Sequence, residues 1–108
     1  MMLLLLAMLA PEEPPVVVSS VTATQLAEYC RGKDADTAPN FCTGYIIGEF
    51  DTLSLSHEIC PSPARASTLK AVSAARKYLR THRAKWTSAP SFVVRDALRA
   101  AFPCRRGS

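Results

Sequence analysis

Beyond a proline-rich opening, apolar positions recur every three to four residues, which is helical rather than strand spacing. Thr22 and Gln25 have capping-box spacing, and Val21 with Leu26 fits the hydrophobic staple around it. A first helix is therefore predicted from Thr22 through Leu26, Tyr29 and Cys30, with Gly32 as its stop. After a polar loop, Lys33 to Pro39, Asn40 is a good N-cap for a second helix. Pro61 and Pro63 exclude helix from the break between Ser54 and Ala64. A third helix is predicted from Ser67 to His82, with Leu69, Val72, Ala75 and Leu79 inside, Tyr78 beside them, and Lys70, Arg76, Lys77 and Arg80 mostly elsewhere. Arg83 is grouped with these outward bases, and a short connection holds Trp86. The fourth helix takes Ser88 as N-cap, tolerates Pro90 in its first turn, and repeats Val93, Val94, Ala97, Leu98, Ala101 and Phe102 before Pro103 ends it.

The second helix carries two stripes. Cys42, Tyr45, Ile46, Phe50 and Leu53 cluster on one side, while Gly44, Gly48 and Thr52 form a small-residue stripe on another. Each glycine costs a helix about 1 kcal/mol relative to alanine. Gly44, Tyr45, Ile46 and Gly48 are accordingly expected to be helix-packing residues, with another backbone close against the glycine face. On this reading the second helix is the central, most buried element. Glu49 falls within the apolar stripe and is expected to pair with a base from the late helices or to reach the edge. The expected fold is all-α: a compact bundle of about four helices over residues 21–104.

The ends bear on location. Met1 to Ala10 (MMLLLLAMLA) reads like the apolar core of a secretory signal, although no Lys or Arg precedes it and Pro11 follows directly. Either the start lies upstream or cleavage falls further on, near Ala23. Residues 11–20 should form an extended linker and residues 105–108 a basic tail. No stretch of about 20 apolar residues is present to span a membrane. The formal net charge of +4 conceals an asymmetry. Residues 1–60 hold two bases against eight acids, and residues 61–108 hold eleven bases against one acid, Asp96. A mixture of solvated face and internal pairing is the expected use of that polarity.

Four cysteines in 108 residues suggest two disulfides in an oxidising compartment, and they allow three pairings. If the helices alternate up and down, Cys30 and Cys42 share one end while Cys60 and Cys104 share the other. A continuous helix would set Cys42 and Cys60 roughly 27 Å apart, against about 5.5–6 Å between the Cα atoms of a disulfide. The expected bridges are Cys30–Cys42 and Cys60–Cys104. The spacing C-x11-C-x17-C-x43-C contains no close pair, and neither His57 nor His82 completes a zinc pattern, so no metal is expected.

No other constellation points to catalysis. Glu49, Asp51 and Glu58 lack a glycine-rich cleft to receive a substrate, and Ser54, Ser56 and His57 lack the context of a nucleophile elbow. There is no phosphate loop or dinucleotide fingerprint, so no cofactor is expected. The basic third helix, with Tyr78 or Trp86 to stack on a base, could suit nucleic acid, but export argues against such a partner. From its residues, the chain reads as a disulfide-stapled helical binding module and not as an enzyme.

One segment adds to this reading. Cys42-Thr43-Gly44-Tyr45-Ile46-Ile47-Gly48-Glu49-Phe50-Asp51 resembles the C-x-G-Y-I-x-G-x-x-D stretch of the Rap/Tai immunity proteins of bacterial type VI secretion. Cys60-Pro61, Lys77-Tyr78-Leu79, His82, Trp86, Ala89-Pro90, Ala97-Leu98 and Phe102-Pro103-Cys104 agree with it, so that the resemblance spans about residues 22–104. It implies a periplasmic, all-helical, commonly dimeric protein that covers the substrate cleft of a peptidoglycan-cleaving amidase effector and performs no reaction. The alternative is an exported interaction module of the same family without a toxin partner. Candidate partner-binding residues are Ser54, Leu55, Ser56 and His57, with the acidic loop Asp34 to Asp36 as a second candidate.

Overall fold

The computed structural model describes residues 14–105. The signal-like segment 1–10, the start of the linker and the last three residues of the basic tail lie outside them. Residues 14–20 carry no helix, as three prolines within five residues dictate. Four α-helices follow: α1 (Ala23–Tyr29), α2 (Phe41–Leu55), α3 (Thr68–Thr81) and α4 (Pro90–Ala101), with a 3₁₀ turn at Arg83–Thr87 between the last two. Among the described residues there is no strand.

Local chemistry sets most helix starts. Thr22 Oγ1 accepts from the Gln25 amide at 3.0 Å while the Thr22 amide donates to Gln25 Oε1 at 2.9 Å, a closed capping box. Asn40 Oδ1 accepts from the Thr43 amide at 2.9 Å, and Ser67 Oγ from the Lys70 amide at 3.0 Å. At α4 the cap position is Ala89, not the expected Ser88, and no side chain caps it; Pro90, which has no N–H to satisfy, occupies the first turn. Helix α1 ends at Tyr29, earlier than Gly32 would have placed it, and Gly32 instead takes a positive φ of 112° in the loop beyond.

Helices α3 and α4 form the most extensive pair, α2 lies against both, and α1 docks on α4. Leu26, Ile46, Val72, Leu79, Val93, Val94 and Leu98 meet in one core. Two disulfides close it, Cys30–Cys42 and Cys60–Cys104, with Cα separations of 5.1 and 4.8 Å. Chain-entropy reasoning gives loops of this size about 3 and about 4 kcal/mol of stabilisation, comparable to the net stability of a small domain.

Three expectations need correction. Leu69, assigned to the inner stripe of α3, is 49% exposed because it sits in the first turn, before the helix meets the core. Arg76, assigned to the outside, is only 3% exposed; its long side chain reaches back to the end of α1 and donates to Cys30 O at 2.8 Å and Arg31 O at 3.1 Å. Third, α2 is not the central element, since α3 and α4 hold that place. Its Ile46 is fully buried and Tyr45 packs against the core, but Gly44 and Gly48 face outwards, and a Cβ built at either would meet nothing within 4 Å. No other backbone of the described chain approaches them, because Cys42, Ile46 and Leu53 turn the opposite side of the helix inwards.

The glycines therefore weaken α2 without a packing reason among the described residues. Gly48→Ala should raise the stability of dilute, monomeric protein by about 1 kcal/mol, read from urea unfolding. A loss of stability would show that the Gly48 face is covered within the chain.

Candidate functional site

The turn that ends α2 collects the predicted contact residues. Ser56 is the C-cap, and His57 follows with φ of 60°, a left-handed conformation that costs a non-glycine residue about 1–3 kcal/mol. Backbone bonds lock that conformation: the amides of His57 and Glu58 donate to Ser54 O and Leu53 O at 3.1 and 2.9 Å. Ser56 Oγ lies 3.2 Å from Leu53 O and 3.1 Å from Glu58 Oε2, with a single proton to share between them, while Glu58 Oε1 accepts from Arg99 Nη2 of α4 at 2.8 Å. Ile59 is buried beneath the turn, and the Cys60 amide donates to Phe102 O at 2.9 Å beside the Cys60–Cys104 bridge. Above this base, Leu55 projects with 82% of its surface exposed, flanked by exposed Ser56 and His57 and half-buried Ser54. An apolar side chain is thus held in water on a turn that adjoins a disulfide.

The second candidate loop is differently placed. Arg80 pairs with both carboxylate oxygens of Asp34 and holds its carboxyl below the usual range, chiefly through the hydrogen bond. Asp34 O also accepts from Ser73 Oγ at 3.1 Å, and Asp36 Oδ1 accepts from the Ala38 amide at 2.9 Å. The acidic loop is thus tied to α3, and its first carboxylate already serves a base of this chain. Together with Arg99–Glu58, this pair joins the basic late helices to the acidic early half.

A third surface runs along the outside of α2. Phe41, 47% exposed, lies between Tyr29 and Tyr45 with ring centroids 4.9 and 5.9 Å away, and Tyr29 is itself 59% exposed. With the open faces of Gly44 and Gly48 this makes an apolar, small-residue surface facing solvent. Periodicity singled these glycines out, but it could not show which way their stripe points.

The groups weighed for chemistry are dispersed. Asp51 is exposed and Glu58 serves Arg99. Glu49 is the unusual one. Burial pushes its carboxyl up to about 8, Arg95 counteracts this only in part, and Glu58 adds to it. Its Oε2 is buried without a hydrogen-bond partner. The expected ion pair with a late base does not form: Arg95 stacks over Phe92 at 4.9 Å, with its Nε 3.9 Å from Asp96 Oδ1. Burial and the neighbouring Glu49 also push the Tyr45 hydroxyl up.

The aromatic rings considered for stacking on bases make contacts within the chain. Tyr78 stacks on His82 at 3.6 Å and accepts from Lys85 Nζ at 2.6 Å. Trp86 donates its indole N–H to Leu79 O at 2.9 Å under the Arg83 guanidinium. Among the described residues, no three His, Cys, Asp or Glu side chains gather to hold a metal ion, and no helix is long and apolar enough to cross a membrane.

Comparison with known families gives one match: a family model described as Rap1a immunity proteins covers residues 22–104. The chain belongs to this family. No curated protein and no solved structure matches it.

The Glu49 carboxyl titrates near 8 in the folded chain against an ordinary 4.5. The folded state therefore holds the extra proton, so the contribution of this carboxyl to stability is fully present below about pH 4.5 and is lost as pH rises through 8, whereas that of the lowered Asp34 carboxyl is lost in acid. Glu49→Gln should remove the alkaline loss and make the chain more stable than wild type at alkaline pH, measured by denaturant unfolding across the range. Parallel pH profiles for the two chains would contradict this assignment.

Proposed function

We propose that this member of the Rap1a immunity protein family is exported to the periplasm and protects its cell by occluding a peptidoglycan-cleaving amidase effector of type VI secretion. The family match over residues 22–104 carries the reading. The rigid turn from Ser54 to His57 supports it, because an inhibitor needs a preorganised protrusion more than a reactive group. In this reading Leu55 enters the toxin's substrate cleft, with Ser54, Ser56 and His57 making polar contacts around it. The chain transfers no atoms; it competes for the cleft and keeps substrate out. The disulfides support export, since such bridges persist in oxidising compartments.

The outer face of α2 is then the surface for a second copy of the chain. Glycines let two helix backbones approach closely, and Phe41 and Tyr29 supply the apolar rim that a homodimer would cover. Leu55 ends this helix seven residues beyond Gly48 on the same side, so a second copy seated along the whole face would compete with a toxin for that end of it.

Coexpression with an amidase effector encoded in the same gene neighbourhood should restore growth, and the two proteins should copurify. Leu55→Lys places a cation at the C-terminus of α2, where the helix dipole accepts it, and should leave the melting temperature unchanged. It should weaken the complex by about tenfold or more, as expected for loss of an apolar anchor, and abolish rescue. No complex and no rescue by the wild-type chain would sink the immunity role and favour a family module without a toxin partner.

A further inference from the structure

A cavity of about 370 Å³ opens between α1, α3 and the 3₁₀ turn, away from the Leu55 turn and from the outer face of α2. Its size is that of a small-molecule site. One wall is apolar, formed by Ala27, Leu79 and the Trp86 ring; the remainder is dominated by Arg31, Arg76, Arg80 and Arg83. Two of these arginines are already neutralised. Arg31 Nε lies 3.2 Å from Glu28, and Arg80 is paired with Asp34. The other two have no carboxylate partner among the described residues. Arg83 rests over the Trp86 ring, its guanidinium carbon 5.1 Å from the centroid, with its side chain open to solvent.

Arg76 is the more telling of the pair. Charged side chains are almost never fully buried unless paired, because desolvation is only repaid by a counter-charge and a complete set of hydrogen bonds. Arg76 is 97% removed from solvent, and its Nη1 donates to the carbonyls of Cys30 and Arg31. Its Nε is buried with no acceptor. The carbonyls at the end of α1 offset part of the charge, and Asp34 is near enough to feel it although its carboxylate is held by Arg80. What remains is a guanidinium lining a cavity and lacking an anion.

We propose that this cavity binds a small organic carboxylate, its anionic end held by Arg76 and Arg83 and its apolar or planar body laid against Trp86, Ala27 and Leu79. Guanidinium forks match the planar geometry of a carboxylate, and stacking on an aromatic face suits a planar body. Inorganic phosphate would satisfy the cations but leave the apolar wall uncovered. A neutral body would cover the wall but leave the cations unpaired. The site is independent of the toxin-blocking role.

Trp86 is the one tryptophan of the chain, so its emission reports directly on the cavity. The oxidised, full chain is titrated with benzoate, benzamide and inorganic phosphate. Benzoate should give a saturable change, with affinity about tenfold or more above that of either comparison ligand, as expected when one charge-assisted contact is lost. Arg76 helps to hold the end of α1 and its variants risk misfolding, so the partly free Arg83 is the one to change. Arg83→Gln should weaken benzoate about tenfold with an unaltered melting temperature. No saturable response to benzoate, equal binding of benzamide or phosphate, or undiminished binding to the Arg83→Gln chain would each overturn the assignment.

Discussion

The Cys60–Cys104 bridge decides what this small protein can present to a partner. It joins the chain leaving α2 to the chain leaving α4, and the Cys60 amide donates to Phe102 O alongside it. Phe102 in turn packs edge-on against Phe50, with ring centroids 5.3 Å apart, so that covalent bond, hydrogen bond and apolar contact converge at one pole. The left-handed His57 is tolerable only on a base so restrained. Without the bridge, the turn carrying Leu55 would be tied to the end of α4 only by the Arg99–Glu58 pair and the Cys60 hydrogen bond, and would lose part of its preorganisation. The Cys30–Cys42 bridge does corresponding work at the other pole, where it ties the end of the short α1 to the start of α2. A helix of seven residues has little stability of its own and depends on such attachment.

Charge is arranged to the same end. The basic second half of the chain is partly spent on the acidic first half: Arg80 fixes Asp34 and Arg99 fixes Glu58. Exposed pairs of this kind contribute little to stability, but each ties a loop to a helix, the acidic loop to α3 and the Leu55 turn to α4. Arg76 goes further and enters the interior, bonding to the carbonyls that follow α1. Among the described residues, the acidic loop and the Leu55 turn are thus both pinned to helices from within.

Much of this organisation is legible in the amino-acid order because it is local. Thr22 with Gln25, and Asn40, act within a few residues, and their helix starts follow from side-chain chemistry. The cysteine pairing follows from where helices begin and end. What escapes sequence reading depends on distant partners. Arg76, Arg80, Arg83 and Trp86 recur at helical spacing along α3 and the turn after it, but they line a cavity only once α1 supplies the facing wall, which no spacing foretells. Arg76 and Cys30 lie 46 positions apart, and nothing near Arg76 signals that its side chain turns inwards. The two stripes of α2 are both visible as periodicity, yet the sequence does not tell which faces the core. Of the candidate contacts, Ser54 to His57 form one turn as their order suggests, whereas Asp34 is drawn away by Arg80, a partner 46 residues off.

The claim that the Cys60–Cys104 bridge holds the Leu55 turn in place is tested most directly by amide hydrogen exchange at Cys60, compared between the native chain and Cys104→Ala. In the native chain this amide should exchange slowly, with the α3 and α4 core. In the variant it should exchange about a hundredfold faster or more, while the amides of Val72 and Leu98 stay protected, as local opening without global unfolding requires. Equal exchange at Cys60 in both chains would contradict the account, because the turn would then be held by its hydrogen bonds and packing alone.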